Sequence, residues 1–177
     1  ISRAPIREAL QVLVQEGLIT SEPQKGKHVR QMTGKEIYDS YVVAGILEGA
    51  GVAESLPLWT EANMETFRSV VRQMEGKISY ATKLDELAEI DELFHATLFM
   101  ACDNTRLVEM ARTSCATISK YLYYQHWITM FTPREYADRH HAVAEAVYSR
   151  DVKHVETALR DHYKETGLRM AQFGKEA

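Results

Sequence analysis

From residue 33 onward, apolar residues recur at intervals of three and four along the chain. This spacing places them on one side of a helix, and capping residues mark where the helices begin. Thr33 with Glu36, and Thr132 with Glu135, form capping boxes at two helix starts. Short connections between helices predict an antiparallel all-α helical bundle. The six predicted helices cover residues 33–55, 60–76, 84–101, 104–131, 132–149 and 151–172.

The first 32 residues carry a different pattern. Ser2 is a good N-cap for a helix that ends at Gly17, and two short stretches at 18–20 and 28–30 read as strands around a polar turn. A helix and one hairpin bury too little apolar surface to fold alone. We therefore predict a mainly α chain in two parts. An incomplete domain would occupy 1–32, and a helical bundle would occupy 33–177.

Composition and charge narrow the class of protein. The chain is 45% hydrophobic and 26% charged, as in ordinary soluble proteins, and its sequence gives no clear membrane span or secretory signal. Cys115 lies within a predicted helix and Cys102 directly follows one, which fits reduced thiols in the cytoplasm. Residues 1–32 hold five basic and three acidic residues, whereas the remainder holds 16 basic and 22 acidic. A short basic part of this kind suggests a polyanionic partner.

Two arginines and a cationic hairpin tip predict contact with DNA. Arg3 and Arg7 are about one helical turn apart, so both leave the same side of the helix near its start. Such a helix fits the major groove, where arginine pairs with guanine or phosphate. The hairpin tip Lys25-Gly26-Lys27 would contact phosphate or the minor groove. A helix followed by a cationic hairpin is the second half of a winged helix-turn-helix, so residues 1–32 would be the C-terminal half of such a DNA-binding domain. The alternative is that the two arginines are solvated surface charges.

An aspartate and three histidines on inward helix stripes form a second candidate site. Asp91 and His95 are one helical turn apart, and His140 and His162 each belong to an apolar stripe of a later helix. Together they could hold a divalent cation such as Zn, Ni, Mn or Fe. The alternative is that they are core histidines with hydrogen-bonded neighbours. His141 competes with His140, although it fits the apolar stripe less well.

The N-terminal motif resembles the recognition helix and wing of the GntR family of bacterial transcription regulators. The resemblance rests on SRAPIREAL at 2–10, the EGLI segment at 16–19 and the KGKHV wing at 25–29. It implies that Arg3 and Arg7 contact DNA with Ser2, Ala4 and Gly26 beside them, on the surface that includes Lys25 and Lys27. Ala4 replaces a frequent threonine, which removes one hydroxyl. The family's first two helices and first strand would precede Ile1.

The later segments resemble the FCD effector domain of the FadR-type branch, in its six-helix, VanR-like form. In metal-binding members one aspartate and three histidines hold the ion, which implies Asp91, His95, His140 and His162 here. A small organic acid usually completes the coordination. Members often carry an arginine shortly before the Leu47-Glu48 pair, and this chain lacks it. Plausible walls of the effector pocket are Tyr123, Tyr124 and His126.

These features favour a ligand-responsive transcription regulator, a repressor, over an enzyme. It would bind a double-stranded DNA operator as a homodimer, because one recognition helix reads only a few base pairs. The alternative is a metal-dependent helical-bundle hydrolase or oxygenase, suggested by the Glu-x-x-His spacing of Glu92 and His95. A di-iron enzyme needs that motif twice, and residues 151–154 have the spacing with the wrong acid. We therefore predict that the protein is not an enzyme.

Overall fold

The computed structural model describes residues 2–176, and these residues form eight α-helices and one two-stranded sheet. This confirms the predicted mainly α fold, with a helix and hairpin followed by a helical bundle. The domain limits 1–32 and 33–177 stay a prediction, and their outer residues Ile1 and Ala177 lie outside the described part. The elements are α1 Arg3–Gln15, β1 Ile19–Glu22, β2 Gly26–Val29, α2 Gly34–Ser55, α3 Glu61–Ile78, α4 Ala88–Leu98, α5 Thr105–Ser114, α6 Tyr124–Trp127, α7 Pro133–Ser149 and α8 Val152–Ala171.

Residues 2–31, which we call the reading unit, form a helix followed by an antiparallel hairpin. The Ser2 hydroxyl accepts a hydrogen bond from the Ala4 amide at 3.3 Å, as expected of an N-cap. Gly17 ends the helix with a φ of 73°, in the left-handed region that favours glycine. The strands pair from Ile19 opposite Val29 to the tip. Within the described chain, no residue of α1 is buried, so this unit is almost entirely surface.

The bundle is built around α2, which packs closely against α8. Glycines make this approach possible: a Cβ on Gly45 would lie 2.8 Å from the Cβ of Tyr163, and one on Gly167 would lie 2.8 Å from the Cβ of Tyr41. The tyrosine side chains of each helix therefore pack directly over a glycine of the other helix. The close contact brings polar residues of α2 and α8 within hydrogen-bonding distance of each other.

A single large core lies among α3, α4, α7 and the start of α8. A second, smaller cluster contains Met32, Ile37, Tyr41, Ile118 and Met170, and it joins the linker after β2 to the bundle. The large core is almost free of polar groups, whereas the region between the two clusters contains the buried histidines. Fully buried members of the large core include Phe67, Met74, Leu87, Phe94, Leu98, Val147 and Leu159.

Two predicted helices differ from the observed ones. The helix predicted at 84–101 is a 3₁₀ turn, Leu84–Leu87, followed by α4. The helix predicted at 104–131 is broken into α5, a π-helical turn Ile118–Leu122 and the short α6. Near the break, the hydroxyls of Thr113 and Ser114 donate to the carbonyls of Glu109 and Met110 at 2.9 and 2.6 Å. Such back-bonding weakens and bends a helix, which apolar periodicity cannot reveal.

Smaller differences concern the strands and α2. The strands run over 19–22 and 26–29 rather than 18–20 and 28–30, because the turn is shorter than the polar sequence suggests. The segment Gly34–Leu58 is 25 residues long and, by length and composition, apolar enough to cross a membrane. Half of its most apolar window is buried within the bundle, as is usual for a core helix of a helical domain.

Candidate metal centre and adjoining cavity

Three helices bring the four predicted metal ligands together. Asp91 and His95 come from α4, His140 from α7 and His162 from α8. One ligand atom from each histidine lies within 4.8 Å of the other two. The Asp91 Oδ1 lies 3.1 Å from His140 Nε2 and 4.0 Å from His95 Nε2. We refer to these four side chains as the metal cluster.

Helical periodicity explains why these residues meet. Asp91 and His95 follow each other by four residues and therefore leave α4 on one side. His140 lies on the buried stripe of α7 that continues through Val143 and Val147. His162 follows Leu159 on the inward side of α8. Because α7 and α8 are consecutive and antiparallel, their inward stripes face each other beside α4.

Hydrogen bonds fix the orientation of two of the histidines. The His140 Nδ1–H donates to the Tyr136 carbonyl at 2.8 Å, which leaves Nε2 with its lone pair. The His95 Nδ1–H donates to Glu48 Oε1 at 2.6 Å. Tyr163 donates its hydroxyl proton to Glu48 Oε2 at 2.7 Å. Such outer contacts set the tautomer and angle of imidazole ligands in metal sites.

Glu48 is the functional residue that sequence reasoning missed. Its side chain is 3% exposed and lies on α2, between helices α4 and α8. A weak signal was present, since Glu48 is flanked by Gly45, Gly49 and Val52 on the buried side of an otherwise apolar helix. A buried carboxylate requires partners, but the sequence does not say which.

Two buried nitrogen atoms in the cluster have no hydrogen-bond partner among the described residues. These atoms are His140 Nε2 and His162 Nδ1. The nearest charged group to His140 Nε2 is the Asp91 carboxylate, whose Oδ1 lies 3.1 Å away. An unsatisfied buried polar atom costs about 1–3 kcal/mol, and a cation would satisfy both atoms. Three imidazoles and one carboxylate are also a common donor set for divalent transition metals, so the residues fit such an ion.

The electrostatics favour neutral histidines at two of the three positions. Burial lowers the pKa of His140, although Asp91 partly opposes the effect. Burial and the nearby Arg139 charge lower the pKa of His162 well below its usual value. Burial would also lower the pKa of His95, but Glu48 outweighs it and raises that pKa to about 9. His140 and His162 are therefore available as neutral donors at neutral pH.

His141 is separated from the cluster. Its side chain is 41% exposed, and its Nε2 lies 3.2 Å from Glu75 on α3. It thus faces the opposite side of α7 from His140. His154, in the Asp-x-x-His spacing considered for a second di-iron motif, lies 3.5 Å from the Ser149 hydroxyl at the α7–α8 turn.

Two connected cavities adjoin the cluster. The inner cavity, of about 80 Å³, is lined by His140, His162 and Arg139. The outer cavity, of about 380 Å³, lies within the range of small-molecule sites and includes Arg112 and Lys120 in its lining. A ligand in the outer cavity would therefore contact the edge of the cluster. Residues that line both cavities are Asp91, His95, Cys115, Ser119, Trp127 and Tyr163.

The three predicted pocket residues occupy different places. Tyr124 lines the outer cavity. Tyr123 instead contacts the linker after β2, where its hydroxyl accepts from the Met32 amide at 3.0 Å and donates to the Met32 carbonyl at 3.2 Å. His126 stacks on Phe173 at a centroid distance of 4.1 Å.

The predicted DNA-binding residues lie on the surface of the reading unit. Ser2, Arg3, Ala4 and Arg7 are exposed at the start of α1. At the hairpin tip, Gly26 has a φ of 91°, and Lys25 pairs with Glu22 at 3.1 Å while remaining 75% exposed. Lys27 is partly buried on β2. Their role in DNA contact stays a prediction.

Comparison with known proteins finds one matching domain family and several relatives of similar sequence. The FCD domain family matches residues 39–165. The HTH-type transcriptional repressor RspR of Escherichia coli (strain K12) is 26% identical over 179 residues, covering 99% of this chain and 76% of that protein. The Nta operon transcriptional regulator of Aminobacter aminovorans is 28% identical over 142 residues, covering 79% of this chain and 64% of that protein.

Solved structures show the same fold. The E. coli protein McbR/YncC superposes with a TM-score of 0.74 at 17% identity, over 97% of this chain and 81% of that one. A GntR family member from Pseudomonas syringae pv. tomato gives a TM-score of 0.65 at 22% identity, over 98% and 71% of the two chains. The relatives and structural neighbours of this chain are transcription regulators and not enzymes. The chain belongs to the GntR family of such regulators, in the branch that carries an FCD domain.

Proposed function

We propose that this DNA-binding regulator is a repressor that senses a small organic acid at a divalent metal ion. Asp91, His95, His140 and His162 would hold the ion, which would be Zn, Ni, Mn or Fe. The observation that carries the proposal is the convergence of three histidine ligand atoms within 4.8 Å. The two buried nitrogens without partners in the described structure support it further.

A bound ion would supply positive charge that attracts a carboxylate oxygen. The chain's own residues prepare the site. Glu48 and Tyr136 orient His95 and His140, while the outer cavity offers space for the rest of the acid. The gluconate operon transcriptional repressor of Bacillus subtilis, 31% identical over 105 residues, is named for an operon of such an acid. Its name and that of RspR also support repression.

Binding of the acid would reach the reading unit through Tyr123. The neighbours Lys120 and Tyr124 line the outer cavity, and the Tyr123 hydroxyl bonds both backbone groups of Met32. Met32 lies directly between the reading unit and α2. An acid that favours one arrangement of residues 118–127 would therefore favour one placement of the reading unit, and this difference changes DNA affinity.

The regulator would act in the cytoplasm as a homodimer on a pseudo-palindromic operator. A single recognition helix contacts few base pairs, and a two-fold pair spaced by one helical turn multiplies the specificity. Ser2, Arg3, Ala4 and Arg7 would lie in the major groove, with the hairpin tip on the neighbouring backbone. Equilibrium sedimentation would test the oligomeric state.

The test of the metal site compares His140→Ala and His162→Ala with His141→Ala. Each protein is stripped of metal, reloaded with Zn, Ni or Mn, and assayed for bound metal and for the melting temperature. We expect the first two variants to lose the ion and its stabilisation, because each removes a ligand. His141→Ala should keep both, since His141 faces Glu75. Wild-type protein that binds no ion, or cluster variants that bind as well as wild type, would refute the proposal.

A further inference from the structure

The outer cavity contains one cation whose charge is not balanced by the described residues. Arg112, on α5, lines this cavity and forms no ion pair within residues 2–176. The other lining cation, Lys120, is paired with Glu92 at 2.9 Å. An arginine at a cavity wall presents a planar set of donors that fits a carboxylate in two parallel hydrogen bonds.

The carboxylates of the outer cavity all have partners of their own. Glu48 accepts from His95 and Tyr163, and Asp91 lies among the cluster histidines. Glu92 pairs with Lys120, and Glu89 lies 3.6 Å from Lys77. Each acidic group in the lining thus has a partner, although Glu89 is 94% exposed. Arg112 is itself exposed and forms no ion pair within residues 2–176, so its donors can bind an anion that enters the cavity.

The remainder of the lining between the cluster and α5 is mostly apolar. A ligand that crosses this space therefore needs an apolar middle rather than a chain of hydroxyl groups. The volume of about 380 Å³ suits a compact molecule. Apolar and aromatic residues of this wall are Ala88, Ala96, Phe99, Ala111, Ala116 and Trp127.

We infer that the effector is a compact dicarboxylate, with one carboxylate at the metal cluster, an apolar spacer along the wall and the second carboxylate on Arg112. The inference rests on the proposed sensing of an acid at a bound metal ion.

The experiment titrates matched acids into metal-loaded protein by calorimetry. The dicarboxylates are succinate, glutarate and adipate, and the monocarboxylates of equal chain length are butyrate, valerate and hexanoate. In wild type we expect at least one dicarboxylate to bind about ten-fold tighter than its partner, because a second charge-assisted contact is gained. Arg112→Ala should remove this preference and leave monocarboxylate binding unchanged, while Arg112→Lys should retain part of it.

Arg106→Ala is the matched control, since Arg106 lies on the same helix but pairs with Glu109 at 2.9 Å and does not line the cavity. It should keep the full preference. Equal binding of the two series by wild type, or a preference that survives Arg112→Ala, would overturn the inference alone. If metal-loaded protein binds no acid of either series, the proposed acid sensing fails as well.

Discussion

The reading unit and the metal cluster place their functional side chains in opposite ways. Arg3 and Arg7 project from a helix without buried residues in the described structure, whereas His140 is 2% exposed and held by a backbone carbonyl. DNA contact requires exposed donors that can reach phosphates and base edges. A metal site requires ligands whose angles are set before the ion arrives. The side chains that must be held in fixed orientations therefore lie in the bundle.

The largest expected difference concerns stability. Phe94→Ala removes a fully buried ring that touches Phe67 and His140, and it should lower the free energy of unfolding by about 3–5 kcal/mol. Ile6→Ala in α1, where the side chain is 52% exposed, should change it by less than about 0.5 kcal/mol. Urea denaturation followed by circular dichroism measures both. If the two substitutions lowered the free energy of unfolding by similar amounts, the bundle and the reading unit would not differ in this way.

The next effect concerns the orientation of a ligand. Glu48→Gln keeps the shape of the side chain but removes the charge that fixes His95, so metal affinity should fall about 10–100-fold. Glu54→Gln changes an exposed glutamate on the same helix and should leave affinity unchanged. Competition with a chelating dye measures both constants. Wild-type affinity in Glu48→Gln would show that His95 needs no support from α2.

Two N-caps provide a smaller, matched test. Thr33 caps α2 in a full capping box with Glu36, and Thr33→Ala should cost about 0.5–2 kcal/mol in the unfolding of the bundle. Ser2 caps α1 through one 3.3 Å hydrogen bond, and Ser2→Ala should leave the bundle transition in place. Thermal unfolding of the two variants gives the comparison. A shift of the main transition by Ser2→Ala would mean that the two regions unfold as one.

The smallest effect should appear in the salt dependence of DNA binding. Arg7→Ala should lower the slope of log affinity against log salt by about 1, because one phosphate contact is lost. A labelled duplex of arbitrary sequence is sufficient, since the effect does not depend on base readout. Lys35→Ala serves as the control, because Lys35 is 82% exposed but pairs with Asp39 on α2. An unchanged slope in Arg7→Ala would remove Arg7 from the DNA surface.

Local signals in the sequence were sufficient for several features. The capping box at Thr132 and the stripe through His140 and Val147 predicted α7 and its inward histidine, because both depend only on residues within a few turns. The break between α5 and α6 was missed, because hydroxyl back-bonding and a π-helical turn leave the apolar period almost intact. The contacts of Tyr123 with Met32 and of His126 with Phe173 were likewise not predicted, and the role of both residues in an effector pocket stays a prediction.

Long-range relations were beyond the sequence for a different reason. Glu48 meets His95 across 47 residues and Tyr163 across 115, and only the glycine-mediated contact of α2 with α8 brings them together. Arg112 likewise shares the outer cavity with residues of α2, α4 and α8, which are distant from it in the sequence. The sequence shows that a glutamate and an arginine are present at these positions, but their partners depend on how distant helices pack.

The linker at Met32 is held from two sides. Its carbonyl accepts from the Tyr123 hydroxyl and also from the Lys175 amide at 2.9 Å, so the end of the last helix closes on the same backbone group as the cavity segment. This joint is a natural position for an optical reporter. An environment-sensitive dye attached at position 175 would therefore report, without DNA, whether a ligand added to the bundle changes this joint.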